Sequence, residues 1–167
     1  MQTTATAEAS TFPRLLLKHA TERPGAPAMR EKEYGIWQTR SWADMATLVE
    51  HLACGLHQAG LQRGEHMIVV GANRPRLSAT MLAAQALGAI PVPLYQDAAA
   101  AECVFPITNA EVRFCLVEDQ EQVDKMLEVR ESCPQLAHIY YDDPRGLRSY
   151  HEAGLTALDE LLTAGQS

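Results

Sequence analysis

Three sets of residues in this 167-residue chain have the types and spacing for chemistry. The first is Asn73-Arg74-Pro75, between an apolar run and a helical pattern. A helix N-terminus presents unpaired N–H groups to an anion, and Arg74 would add a cation. The same residues also serve structure alone: Asn73 caps the helix, Pro75 opens it, and Arg74 makes a surface or interdomain ion pair. That second reading needs no ligand and is preferred. The second set is Glu118, Asp119, Glu121 and Asp124. They read either as paired carboxylates or, more simply, as acids that complement the dipole of a helix start. The third set is six histidines (His19, His51, His57, His66, His138, His151) and four cysteines (Cys54, Cys103, Cys115, Cys133). His51 and His57 are six apart and so do not share a helical face. No cysteine, Asp or Glu joins the histidines as a ligand set, and no two cysteines have Cys-x-x-Cys spacing. Cys54 falls in an apolar helical stripe and Cys115 in an apolar strand, where free buried thiols are expected. No catalytic residue and no metal ligand is assigned.

The elements that position these residues follow from period and punctuation. Ser10 and Thr11 are candidate caps for a short helix from Phe12, which must end near Arg23 because Pro24, Gly25 and Pro27 follow. Ala28–Glu33 and Ile36–Arg40 flank Tyr34-Gly35 and predict a hairpin. Ser41 and Asp44 form a capping box for a helix carrying Met45, Leu48, Val49, Leu52 and Leu56, stopped at Gly60. Apolar strands are expected at Met67–Val70, Ile90–Leu94, Val112–Val117 and Leu136–Tyr141. Helices lie between them: from Asn73-Arg74-Pro75 to Gly88, Ala98–Asn109 weakened or ended by Pro106, and a segment capped by Asp119 that stops at Cys133-Pro134. Asp142–Gly146 is a polar turn. Thr156 to Asp159 reads as a capping box for a last helix, Ala157–Ala164. Four strands alternating with three helices predict an α/β fold with a mostly parallel sheet and right-handed crossovers. Trp37 and Trp42, at the hairpin-to-helix junction, are expected to pack in the core.

Composition bounds the function. Hydrophobic residues at 47% and charged residues at 21% suit a globular domain over 11–167, with 1–10 a disordered N-terminus. A net charge of -7 with scattered arginines repels phosphate backbones, so nucleic acid is excluded as a partner. Met1–Ser10 has neither the basic start nor the apolar core of a signal peptide. The most apolar stretch, Ala79–Leu94, is cut by Gln85, Gly88 and two prolines, so no transmembrane segment is expected and the setting is taken as cytoplasmic.

The stretch Ile68-Val69-Val70-Gly71-Ala72-Asn73-Arg74-Pro75 through Ala86-Leu87-Gly88-Ala89-Ile90-Pro91-Val92-Pro93-Leu94-Tyr95 resembles AMP-forming long-chain acyl-CoA synthetases of the adenylate-forming superfamily. Val117-Glu118-Asp119-Gln120-Glu121-Gln122, Tyr141-Asp142-Asp143-Pro144-Arg145-Gly146 and Thr39-Arg40-Ser41-Trp42 extend the likeness from about Thr11 to Gly165. The resemblance implies part of a larger enzyme that forms an acyl-adenylate and then an acyl-CoA from a fatty acid, with ATP, Mg²⁺ and CoA as its ligands. Where the family usually has Glu and Trp after Asn-Arg-Pro, this chain has Arg76 and Leu77. The family's Ser/Thr/Gly phosphate loop, its later acidic motifs and its C-terminal lysine have no counterpart here. The chain is therefore expected to act as scaffold, truncated before the phosphate loop. Ile90–Leu94, apolar at nearly every position, reads as a strand covered on both faces. Without the rest of the synthetase it would leave an exposed apolar face, and self-association is expected. Two other readings stay open: a free-standing α/β module that binds a nucleotide at its strand ends, though without a Gly-x-Gly-x-x-Gly loop, and a non-catalytic interaction protein.

Overall fold

The computed structural model describes residues 11–166, so the expected disorder of 1–10 and the candidate cap Ser10 lie outside the described residues. The elements run α1 (Phe12–Glu22), β1 (Pro27–Glu33), β2 (Ile36–Ser41), α2 (Trp42–Gln58), β3 (His66–Val70), α3 (Pro75–Ala86) and β4 (Ile90–Leu94). There follow α4 (Ala100–Asn109), β5 (Phe114–Val117), α5 (Gln120–Arg130), β6 (His138–Tyr141), β7 (Leu155–Ala157) and α6 (Leu158–Gly165). β1 and β2 form a separate antiparallel hairpin. The other five strands form one sheet in the order β4-β3-β5-β6-β7, parallel throughout. The fold is the expected α/β class, with one strand more than the sequence reading counted.

Two helical layers cover the sheet, and the pleat sorts the side chains between them. Met67, Val69, Phe114 and Leu116 point into a core shared with α1, α2, α3 and α6. Their neighbours Ile68, Val70, Cys115, Val117 and Ile139 point the other way, onto α4 and α5. The helix side therefore switches between α3 and α4, as the chain passes from one side of β3 to the other. In parallel α/β sheets such a switch opens a crevice at the carboxyl ends of the two adjacent strands that flank it, here β3 and β5.

Local chemistry explains most element ends. Ser41 Oγ accepts from Asp44 N at 3.1 Å, and the Asp44 carboxylate accepts from Ser41 N at 2.8 Å, completing the predicted box. Gly60 follows α2 with φ 94°, the left-handed stop. Pro106 stays inside α4 instead of ending it. The α2–α6 contact was not legible beforehand. A side chain at Gly55 would overlap the Leu161 carbonyl, and one at Gly165 would overlap that of His51, so two glycines let these helices touch backbone to backbone.

Several expectations need correction. Residue 74, not Asn73, is the cap position of α3, and no side chain caps it; Pro75 at the first turn suffices. Thr11 is at the cap position of α1 but its side chain makes no cap bond. Thr156 does not cap α6. Its backbone pairs with Tyr140 as the middle of β7, and Ala157 takes the cap position. Cys54 is exposed, because it falls just off the buried stripe of Val49, Leu52 and Leu56; the other three thiols are buried and all four are free. Trp37 is 64% exposed on the hairpin, while Trp42 is partly buried against His19, ring centroids 4.6 Å apart. β4 is an edge strand with Ile90 47% exposed, so it is not covered on both sides within this chain.

Candidate functional site: the charged cleft at the carboxyl ends of the strands

The crevice between β3 and β5 is occupied by the protein's own carboxylate. Glu118, the residue after β5, accepts from Ala72 N at 2.5 Å and from Arg74 Nε at 3.2 Å. Gly71 makes this approach possible. Its φ of 154° is one that side chains rarely adopt, and a Cβ there would come within 2.6 Å of both Glu118 Cβ and Leu77 Cδ2. Leu77, at one of the two positions where the chain departs from the family pattern, is buried and packs close against Gly71. Arg76, at the other, spans two further loop ends. Its Nη2 donates to Asp159 at 2.6 Å. Its buried Nε lies 2.7 Å from Asp142 Oδ1, near enough for an ion pair but off the hydrogen-bond line. Backbone bonds tie the loops together: Glu118 N to Val70 O at 3.0 Å, and Asp143 N to Glu118 O at 2.7 Å.

Above these loops lies a cleft of about 560 Å³, walled on its far side by the hairpin residues Glu31, Lys32, Glu33, Tyr34 and Arg40. Its charges are mostly paired within the chain. Arg145 grips Asp143 through Nε at 2.7 and 2.9 Å, and this hydrogen bonding holds the Asp143 carboxyl below its ordinary range and raises Arg145. Burial pushes Asp142 upward against the opposing pull of Arg76, and Asp159, Glu118 and Glu31 add to the rise. Arginine–carboxylate pairs fill the cleft, and they position loops; none sets a nucleophile beside a base.

The structure separates the acidic cluster that the sequence brought together. Asp119 caps α5, accepting from Gln122 N at 3.3 Å, and Glu121 pairs with Lys125 at 2.8 Å in the first turn. These two fit the dipole reading. Glu118 turns into the crevice instead, and Asp124 accepts from Tyr150 Oη at 2.7 Å. The expected surface pair of Arg74 is made, with Glu118. The histidines are dispersed. His138 stacks on Phe114 at 4.4 Å, and burial, then Arg113 and Arg130, lowers its pKa. Among the described residues no three His, Cys, Asp or Glu side chains gather as a metal-ligand group. Arg76, Asp142 and Asp159 were missed as a set. The available signal was their position, each one or two residues from a strand end or at the first turn of a helix in a parallel sheet.

A phosphate fits this crevice poorly. The N–H of Ala72 already serves Glu118, and a second anion would face that carboxylate at contact distance. The acids offer no better seat for Mg²⁺, since Asp142 and Asp143 are held by Arg76 and Arg145.

Comparison with known proteins places this architecture. The profile of the AMP-binding enzymes matches residues 16–160. The long-chain-fatty-acid–CoA ligase FadD15 of Mycobacterium bovis is 24% identical over 153 residues, 92% of this chain and 24% of that protein. The uncharacterized protein Rv1549 of Mycobacterium tuberculosis is 30% identical over 136 residues, 81% of this chain and 74% of that protein. Among solved structures, the anthranilate CoA ligase AuaEII superposes with a TM-score of 0.81 at 15% identity, over 98% of this chain and 30% of that one. The acetoacetyl-CoA synthetase of Streptomyces lividans does so with 0.79 at 21% identity, over 90% and 24%. The chain spans about a quarter of the length of FadD15 and of these two ligases. It belongs to the family of AMP-binding enzymes, and its fold is that of the adenylate-forming ligases.

Proposed function

We propose that the chain is the N-terminal part of an ATP-dependent long-chain fatty acid–CoA ligase and serves there as scaffold. The observation that carries this is the match of nearly the whole chain to one quarter of the long-chain ligase FadD15, together with a strand-end crevice already filled by Glu118 and Arg74. In the complete enzyme a fatty acid carboxylate would attack the α-phosphorus of ATP, and CoA would then displace AMP from the acyl-adenylate. ATP, Mg²⁺ and CoA would be held by residues outside the part that this chain supplies, and no step of the reaction is assigned to its own side chains. The setting is cytoplasmic on this reading; among the described residues no helix is long and apolar enough to cross a membrane.

The test is a chimera in which this chain replaces the matched segment of FadD15. AMP release with palmitate, ATP, Mg²⁺ and CoA is expected from the chimera and not from the chain alone. Turnover by the chain alone, or a folded chimera without activity, would overturn the reading. Rv1549 supports a second reading, because this chain aligns with most of a protein of similar length. On that reading the chain is a non-catalytic partner of a separate synthetase or of itself. The free-standing nucleotide-binding module draws no such support, since Glu118 fills the crevice that it would use.

A further inference from the structure

Three crossovers of the main sheet run through helices: α3 joins β3 to β4, α4 joins β4 to β5, and α5 joins β5 to β6. The fourth, residues 142–154 between β6 and β7, contains no helix. Because β6 and β7 are parallel, this connection must return the whole length of the strands. Leu147 and Tyr150 lie in the core between the sheet and the α4–α5 layer, so the connection is a strap of irregular chain over that side. Connections of this length without secondary structure are uncommon in compact domains, and lids are among the few uses they have.

The two parts of the strap are held differently. Residues 142–145 are tied to the sheet. Asp142 N donates to Val117 O at 3.0 Å, Asp143 N donates to Glu118 O at 2.7 Å, and Arg145 grips Asp143. From Leu147 to Ala153, among the described residues, backbone–backbone bonds go only to Pro144, within the segment and to Leu155. Side chains supply the remaining ties. Leu147 is the one buried residue of this part. Tyr150 Oη donates to Asp124 at 2.7 Å and accepts from Gln120 Nε2 at 3.0 Å, both on α5. Arg130 Nη1, at the end of α5, donates to Ala153 O at 2.8 Å. Arg148, Ser149, His151, Glu152 and Ala153 are exposed. Gly146 and Gly154 bound the segment at φ 82° and 77°, left-handed conformations that glycine enters and leaves without a side-chain penalty. Past Gly154 the sheet resumes, with Ile139 N donating to Gly154 O at 2.8 Å.

We propose that residues 147–153 are a lid that opens as a unit about Gly146 and Gly154, latched by Tyr150 on Asp124, and that opening bares the edge of the α4–α5 core while the sheet and the charged cleft stay closed. The lid belongs to this chain's own fold and does not depend on the ligase reading. Trypsin cleavage of the whole chain under native conditions tests it, because cleavage at a protected site follows the population of the open form. Cleavage after Arg148 should proceed at a rate insensitive to urea well below the unfolding midpoint, whereas cleavage after Arg113, at the start of β5, should rise with global unfolding. A hydrogen bond to a charged acceptor stabilises more than a neutral one, so Tyr150→Phe should speed the Arg148 cut about tenfold and leave the Arg113 cut unchanged. Asp124→Asn should act in the same direction, and adding it to Tyr150→Phe should bring no further gain, since the two side chains form one latch. If Tyr150→Phe does not fold, Asp124→Asn carries the comparison. An Arg148 cut with the urea dependence of the Arg113 cut would show that the strap opens only with the whole fold, and would overturn the proposal. An Arg148 cut that neither substitution changes would overturn it too, as would equal acceleration at both sites, which would make Tyr150 a support of the entire chain.

Discussion

Replacing Arg76 by Met should expose how the loop ends are held. Arg76 is 24% exposed and lies 2.7 Å from Asp142, itself 15% exposed. Two unit charges about 4 Å apart attract by about 4 kcal/mol at an effective dielectric near 20, and desolvation cancels part of this. Breaking a buried pair costs about 3–5 kcal/mol, an exposed one about 0–1 kcal/mol. The Asp142 pair lies between these limits, so a loss of about 2 kcal/mol is expected at pH 7, while the Asp159 contact, 73% exposed on the acid's side, adds little. For a chain of this size that is a fall in Tm of about 4–8 °C. The pH dependence is the sharper test. Burial already raises the Asp142 pKa in the folded state, and Arg76 opposes the rise. A carboxyl whose folded pKa lies above its unfolded value binds more protons when folded, so its charged form costs stability above the folded pKa and the cost fades as pH falls. Without Arg76 the folded pKa rises further. The destabilisation by Arg76→Met should therefore shrink from pH 7 to pH 4.5, and adding Asp142→Asn should recover most of it at pH 7. Urea denaturation at both pH values measures this. An equal loss at both, or no rescue by Asp142→Asn, would show that Arg76 acts through packing and refute the electrostatic account.

Ser41→Ala removes the cap of α2 and should cost about 1 kcal/mol, read by the same denaturation. Gly55→Ala drives a methyl group into the Leu161 carbonyl and should cost about 2–3 kcal/mol, with faster amide exchange in α6 as its local signature. Under native conditions an aromatic disulfide reagent should titrate Cys54 first, leaving the buried Cys103, Cys115 and Cys133 until the chain unfolds; burial also pushes the Cys115 thiol up to about 12. Cys54→Ser should abolish the fast phase.

Local pattern alone determined most of the elements. The switch from apolar runs to a 3.6-residue period marked β3 through β6 and their crossovers, and Ser41 with Asp44 marked the start of α2, because these signals involve bonds between near neighbours. Tyr34-Gly35 marked the hairpin for the same reason. Tertiary structure decided what depends on distant partners. β7 is three residues long and exists because Tyr140 lies beside Thr156, so no period within Leu155–Ala157 could announce it. The exposure of β4, Trp37 and Cys54 depends on which neighbours the sheet order and helix phase provide, and an apolar residue carries no mark of whether its cover is present. The roles of the acids divide in the same way. Asp119 could be read as a cap from sequence, since its partner is Gln122 three residues on. Glu118, its neighbour, could not: its partners are Ala72 and Arg74, 46 and 44 residues away, and only the parallel pairing of β3 with β5 brings them to one crevice.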